Sequence, residues 1–231
     1  DLFINALGKL NKSAELNKEI VAVIAVPANI SGIYKELEYR REGKKPIEGH
    51  TDLPCTHHIF GYEYDAVLNS LRENGLNNNS EDKVKVMFVP SYLNGNDGVF
   101  NLKYNDFLYA FDLTVFPSYY EPWGYTPMES IAHGIPTVTT DLAGFGRYIQ
   151  DEKFENESVA IVHREEGNGI IVTDDIVKII LNFTSKDENQ IKAVKKNAFE
   201  LVGKFEWNEL INNYLEAYDI ALDKLRGRDY M

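Results

Sequence analysis

Residues 20–26 read IVAVIAV, a run of seven apolar residues, mostly β-branched, that ends at Pro27. A strand apolar on both faces must be covered on both, which points to a parallel sheet held between two layers of helices. Further short runs of this kind follow at 84–89 (VKVMFV), 113–116 (LTVF), 136–140 (PTVTT) and 159–163 (VAIVH). Helical periodicity fills the intervals: Leu2, Ile4, Leu7 and Leu10 over 1–12, then Tyr62, Ala66, Leu68 and Leu71 over 58–74. More helices are expected at 104–111, 127–133, 174–184, 188–203 and 207–226. Strands that alternate with helices at this interval need right-handed crossovers, so the predicted fold is α/β, a doubly wound parallel sheet of the Rossmann-like type. No linker interrupts residues 1–231, which read as one domain, and the charged stretch at about 30–56 reads as a solvated insertion. The first helix opens at Asp1 without a start signal, which places its cap upstream and the sequence inside a longer polypeptide. In sheets of this kind ligands sit outside the carboxyl ends of the strands, here the loops after Val26, Val89, Phe116 and Thr140.

Charge narrows the partners. Lys and Arg number 24 against 36 Asp and Glu, a net −12 with no basic cluster, which disfavours nucleic acid and anionic membrane. The longest apolar run has seven residues, where a spanning helix needs about 20. A lone thiol, Cys55, and no apolar leader point to a reducing cytoplasm. His57 and His58 are adjacent, poor geometry for a shared ligand face, and no Cys or acidic partner stands at zinc spacing, so no metal is expected.

The loop after Phe116 carries the chemistry. Residues 117–129, PSYYEPWGYTPME, hold four aromatics, three prolines and two carboxylates. Pro122 and Pro127 stiffen the path, and Gly124 permits a backbone angle or a ligand approach that a side chain would block. Thr126 precedes Pro127, which suits a first helical position, and a helix start there would favour a phosphate. Glu121 and Glu129 stand eight apart, and each has two readings. Thr126-x-x-Glu129 fits a capping box, and Glu121 fits a solvated carboxylate near a positive helix end. Alternatively both accept hydroxyls of a bound sugar nucleotide, one from the sugar and one from the ribose.

The stretch FPSYYEPWGYTPMES, followed by GIPTVTTDLAGFG, resembles the signature of the eukaryotic-type glycogen synthases, the family-3 glycosyltransferases. The resemblance implies one half of a two-domain glycosyltransferase of the B-type fold, the C-terminal half that binds the donor. It implies transfer of glucose, with retention, from UDP-glucose to the non-reducing end of an α-1,4-glucan. By position, Glu121 falls at the donor glucose as the catalytic carboxylate, and Glu129 on the ribose hydroxyls. Trp123 and Gly124 fall where the backbone approaches glucose, Tyr125 and Thr126 where the helix start meets the diphosphate. Tyr104 aligns with an aromatic expected on uracil, or else packs on the core, and residues 143–146 (AGFG) match a family element without an assigned contact. The implied partners are a nucleotide sugar, an α-glucan, the N-terminal domain of the same polypeptide and, at full length, further copies; no cofactor is implied beyond the donor itself.

No Lys or Arg lies between Lys103 and Arg147, so the cations that offset a departing diphosphate must come from elsewhere; the resemblance implies an Arg and a Lys in a turn upstream of Asp1, and the isolated chain is expected not to transfer glucose. Where the family has an arginine cluster that receives glucose-6-phosphate, this chain has Lys192, Lys195 and Lys196, which lack the bidentate fork. ADP-glucose or another nucleotide sugar is the rival donor, and a nucleotide-binding or assembly module without turnover is the rival function.

Overall fold

A computed structural model describes residues 1–43 and 54–227. Helix α1 (Leu2–Lys12) leads into strand β1 (Ile20–Ala25), which pairs in parallel with β4 (Val84–Val89) from Ile20 opposite Val84 to Ala25 opposite Val89. Between them lie β2 (Ile30–Ile33), α2 (Lys35–Arg41), β3 (His57–Ile59) and α3 (Ala66–Glu73), and β2 and β3 form an antiparallel ribbon. This ribbon frames the expected insertion, of which residues 44–53 lie outside the described residues.

The second part of the chain runs α4 (Tyr104–Leu108), β5 (Thr114–Val115), α5 (Tyr125–Ala132), β6 (Thr137–Thr140), α6 (Gly144–Asp151) and β7 (Val159–Val162). Helices α7 (Gly169–Ser185), α8 (Glu188–Leu201) and α9 (Trp207–Arg226) follow. Strands β5, β6 and β7 are adjacent and parallel, with all four residues of β6 buried. The fold is thus α/β, with its parallel strands in two sections. One apolar cluster serves both: Leu7 and Leu10 of α1, Ile24 of β1 and Phe88 of β4 pack with Val138 of β6, Val162 of β7 and Ile176 of α7. A second cluster, around Phe145, Ile149 and Phe205, lies under α5 and α6.

Three expectations need correction. β1 is not covered on both faces: Ala22 and Ile24 are buried, whereas Val21, on the opposite face, is 66% exposed. Residues 58–64 are not the start of a helix: His57–Ile59 pairs with β2, and a 3-10 turn at Tyr62–Tyr64 precedes α3, which Asp65 caps through the Leu68 amide. Helix α6 was not expected at all.

Candidate functional site

The 117–129 loop lies at the carboxyl edge of β5, where Phe116 N still pairs with Val138 O at 2.8 Å. Beyond that point the loop makes an isolated parallel bridge, Glu121 to Ala143, and is tied down through its carbonyls. Arg164 Nη1 donates to Pro117 O, and Thr140 Oγ1 donates to Ser118 O at 2.7 Å. Gly144 N donates to Glu121 O at 3.1 Å and Phe145 N to Trp123 O at 2.6 Å. These anchors come from the ends of β6 and β7 and from the first turn of α6.

That contact gives the AGFG element its role. A Cβ at Gly144 would lie 2.1 Å from Pro122 O, and one at Gly146 would lie 2.0 Å from Thr140 O. Only glycine lets α6 come so close to the loop and to the end of β6. Phe145, between them, fills the second core cluster and meets the Trp123 ring edge-on at 6.0 Å.

Glu121 is half-buried, and its Oε2 accepts Ser118 Oγ at 3.3 Å. Three residues on, Gly124 is buried with φ 106° and ψ 74°, a conformation that a side chain resists, and it opens α5 at Tyr125. The helix therefore starts earlier than expected, which puts Thr126 second and Pro127 third. The Thr126–Glu129 capping box does not form, since no side chain caps this helix. Pro127 is tolerated because the first turn has no intrahelical acceptor for its amides. Neither Glu121 nor Glu129 accepts a backbone amide through its carboxylate among the described residues.

Tyr104 begins α4, its amide bonded to Leu93 O at 2.9 Å. Its hydroxyl is buried and has no hydrogen-bond partner among the described residues. Burial, and then the nearby Glu129 carboxylate, push the phenol up to about 12. Tyr104 and Glu129 are thus near enough to interact electrostatically, although 25 residues apart in sequence. The Trp123 side chain turns inward, with Nε1 on Met128 Sδ at 3.5 Å and its ring against Phe145 and Tyr148. The Tyr125 side chain is exposed, as are Tyr119 and Tyr120.

Two features escaped the sequence reading. Arg164, just past β7, reaches the loop, and Asp141, just past β6, accepts Arg164 N at 2.9 Å and His163 Nδ1 at 2.5 Å. The carboxyl-edge rule, applied to β7 as it was to β5 and β6, would have found Arg164; Asp141 stands directly after Thr140, in a loop that rule had already marked. His57, by contrast, spends both ring nitrogens on protein atoms, Thr56 Oγ1 at 2.7 Å and Asp97 O at 2.9 Å. Of the lysines on α8, Lys195 pairs with Asp112 Oδ1 at 2.8 Å and Lys196 with Glu200 at 3.3 Å. They border a groove of about 480 Å³ that none of the 117–129 residues lines.

Residues 48–231, which include the entire loop, match the family model described as Glycogen synthase. The chain belongs to the glycogen synthase family. It is 35% identical over 173 residues to the Caenorhabditis elegans glycogen [starch] synthase, covering 74% of this chain and 26% of that protein. It is 31% identical over 206 residues to isoform 1 of the Saccharomyces cerevisiae enzyme, covering 85% of this chain and 29% of the relative. The human liver glycogen [starch] synthase is 33% identical over 172 residues, 73% of this chain and 24% of that protein. The chain therefore spans about a quarter of the length of these relatives. Among solved structures it is similar to WaaG, a glycosyltransferase of lipopolysaccharide biosynthesis, with TM-score 0.42 and 14% identity over 94% of this chain and 50% of that one. Anabaena Alr3699/HepE in complex with UDP gives TM-score 0.43 and 16% identity over 96% of this chain and 55% of that one. Among the described residues, no helix is long and apolar enough to cross a membrane.

Proposed function

We propose that this chain is the C-terminal, donor-binding half of a B-type glycosyltransferase, and that the full-length enzyme transfers glucose from UDP-glucose to the non-reducing end of an α-1,4-glucan with retention. One observation carries the reading: in a chain of the glycogen synthase family, two glutamates eight apart sit at the carboxyl edge of a parallel sheet, with neither carboxylate spent on a backbone amide. Carboxylates used only for capping would be spent in that way.

In this reading Glu121 holds the donor glucose and stabilises positive charge on an oxocarbenium-like transition state. Glu129 accepts the ribose hydroxyls, and Tyr104 offers its ring to uracil. The backbone at Trp123 and Gly124 lies against the sugar. The uncapped start of α5 at Tyr125 and Thr126 takes the diphosphate, where the free amides and the helix dipole favour an anion. The rest of the charge compensation comes from upstream. The donor is the substrate and no cofactor or metal is needed; the enzyme works in the cytoplasm, with its own N-terminal domain and further copies as partners.

Steady-state kinetics of Glu121→Gln in the full-length enzyme test the assignment. Loss of one preorganised electrostatic group should lower kcat by about 10²-fold or more while KM for UDP-glucose moves only a few-fold. A raised KM with kcat intact would refute it. Titration with UDP and ADP decides the base, and tighter ADP binding would replace UDP-glucose as donor.

A further inference from the structure

Arg164 holds the donor loop at two points on either side of Ser118. Its own amide is fixed to the end of β6 through Asp141 Oδ1 at 2.9 Å, so the arginine has a defined origin. From there Nη1 donates to Pro117 O, and the guanidinium carbon lies 4.9 Å from the centroid of the Tyr119 ring. Ser118, between those two contacts, has its carbonyl on Thr140 Oγ1 and gives its hydroxyl to Glu121 Oε2. A planar fork suits this arrangement, because one edge can bond a carbonyl while the face covers an aromatic ring; an ammonium point charge has no such face. The guanidinium is partly withdrawn from water, and desolvation lowers its pKa.

We propose that Arg164 is a positioning residue for Glu121, fixing Pro117 and Tyr119 so that Ser118 holds the carboxylate in its reactive orientation. The inference rests on Glu121 being the carboxylate that acts on the donor. Arg164 itself need not touch the substrate. No basic residue lies within the loop, and this one reaches it only through the β7 edge.

The test is a double-mutant cycle in the full-length enzyme, with R164A, E121Q and the double variant assayed with UDP-glucose and glucan. R164A should lower kcat about tenfold or more, since misplacement by about 1 Å costs up to ~100-fold, with KM for UDP-glucose changed less than about twofold. The melting temperature should stay within about 4 °C of the parent, which separates positioning from a purely structural loss. In the E121Q background, R164A should cost nothing further. A kcat within about twofold of the parent for R164A, or losses that multiply in the double variant, would overturn the proposal. If R164A does not yield folded enzyme, R164K keeps the charge and the stem, and full activity in that variant would overturn it instead. E121Q impaired with R164A silent refutes the positioning role alone, whereas a silent E121Q refutes the reading of Glu121 and this inference with it.

Discussion

Replacing Gly144 by alanine tests whether the contact between α6 and the loop sets the site. The added methyl carbon would lie 2.1 Å from Pro122 O, so helix and loop must part by at least about 1 Å to reach an ordinary contact. Overpacking of this kind costs about 1–3 kcal/mol. The same movement stretches the Gly144–Glu121 and Phe145–Trp123 hydrogen bonds, each worth about 1 kcal/mol, while better helix propensity returns at most about 1 kcal/mol, for a net loss of ~2–4 kcal/mol. Urea unfolding followed by tryptophan fluorescence suits the measurement, because Trp123 packs beside Phe145 and reports on the contact itself. Gly203→Ala is the control: nothing lies within 4 Å of its added carbon, so its stability should change by less than about 1 kcal/mol. In the full-length enzyme, displacement of Glu121 by about 1 Å should also lower kcat by up to ~100-fold. A Gly144→Ala chain as stable as the Gly203→Ala control would show that the loop is not held in this way.

Tyr104→Phe removes a buried hydroxyl that has no partner among the described residues, so the ligand-free protein should become more stable by about 1 kcal/mol by urea denaturation, while Tyr104→Ala should weaken UDP binding in calorimetry. Stabilisation absent in the first variant would mean that the hydroxyl is bonded in solution. His163 is raised above its ordinary value of 6.5, first by the hydrogen bond to Asp141 and then by the charges of Asp141 and Glu165. With the folded value raised, what this pair adds to stability is complete below the ordinary imidazole value and is lost as the pH climbs through the raised one. NMR titration should therefore show His163 ionising above the ordinary value in the parent and returning toward it in Asp141→Asn, whose side-chain oxygen still accepts the Arg164 amide; an unshifted parent would refute the pairing.

The parallel strands were legible because their residues leave little choice. Val84–Val89 and Thr137–Thr140 are dense in β-branched side chains and bounded by prolines, glycine or acidic loops, and periodicity finds such segments. The site loop was legible for another reason, since its prolines and aromatics are costly in a mere connector. What escaped was dictated from a distance. Helix α6 opens on Ala143-Gly144-Phe145-Gly146, where two glycines depress local helix propensity, and the segment is helical because only glycines fit beneath Pro122 O and Thr140 O. Residues His57–Ile59 carry a pattern compatible with either element, and pairing with Ile30–Ile33 settles them as strand. Thr126 and Glu129 have capping-box spacing, yet the left-handed turn at Gly124 starts the helix early enough to spoil it. Arg164 has no motif around it, and its reach to Pro117 spans 47 residues that local reading cannot fold.

The loop's main chain is pinned at four carbonyls, whereas Tyr120 and Tyr125 point their rings outward and are 77% and 64% exposed. An engineer who wished to retune which sugar or glucan the site accepts would find latitude at those two rings and almost none along 143–146. Randomised libraries should accordingly yield live variants at the tyrosines and silent wreckage at the two glycines, though neither glycine has a side chain with which to touch a ligand.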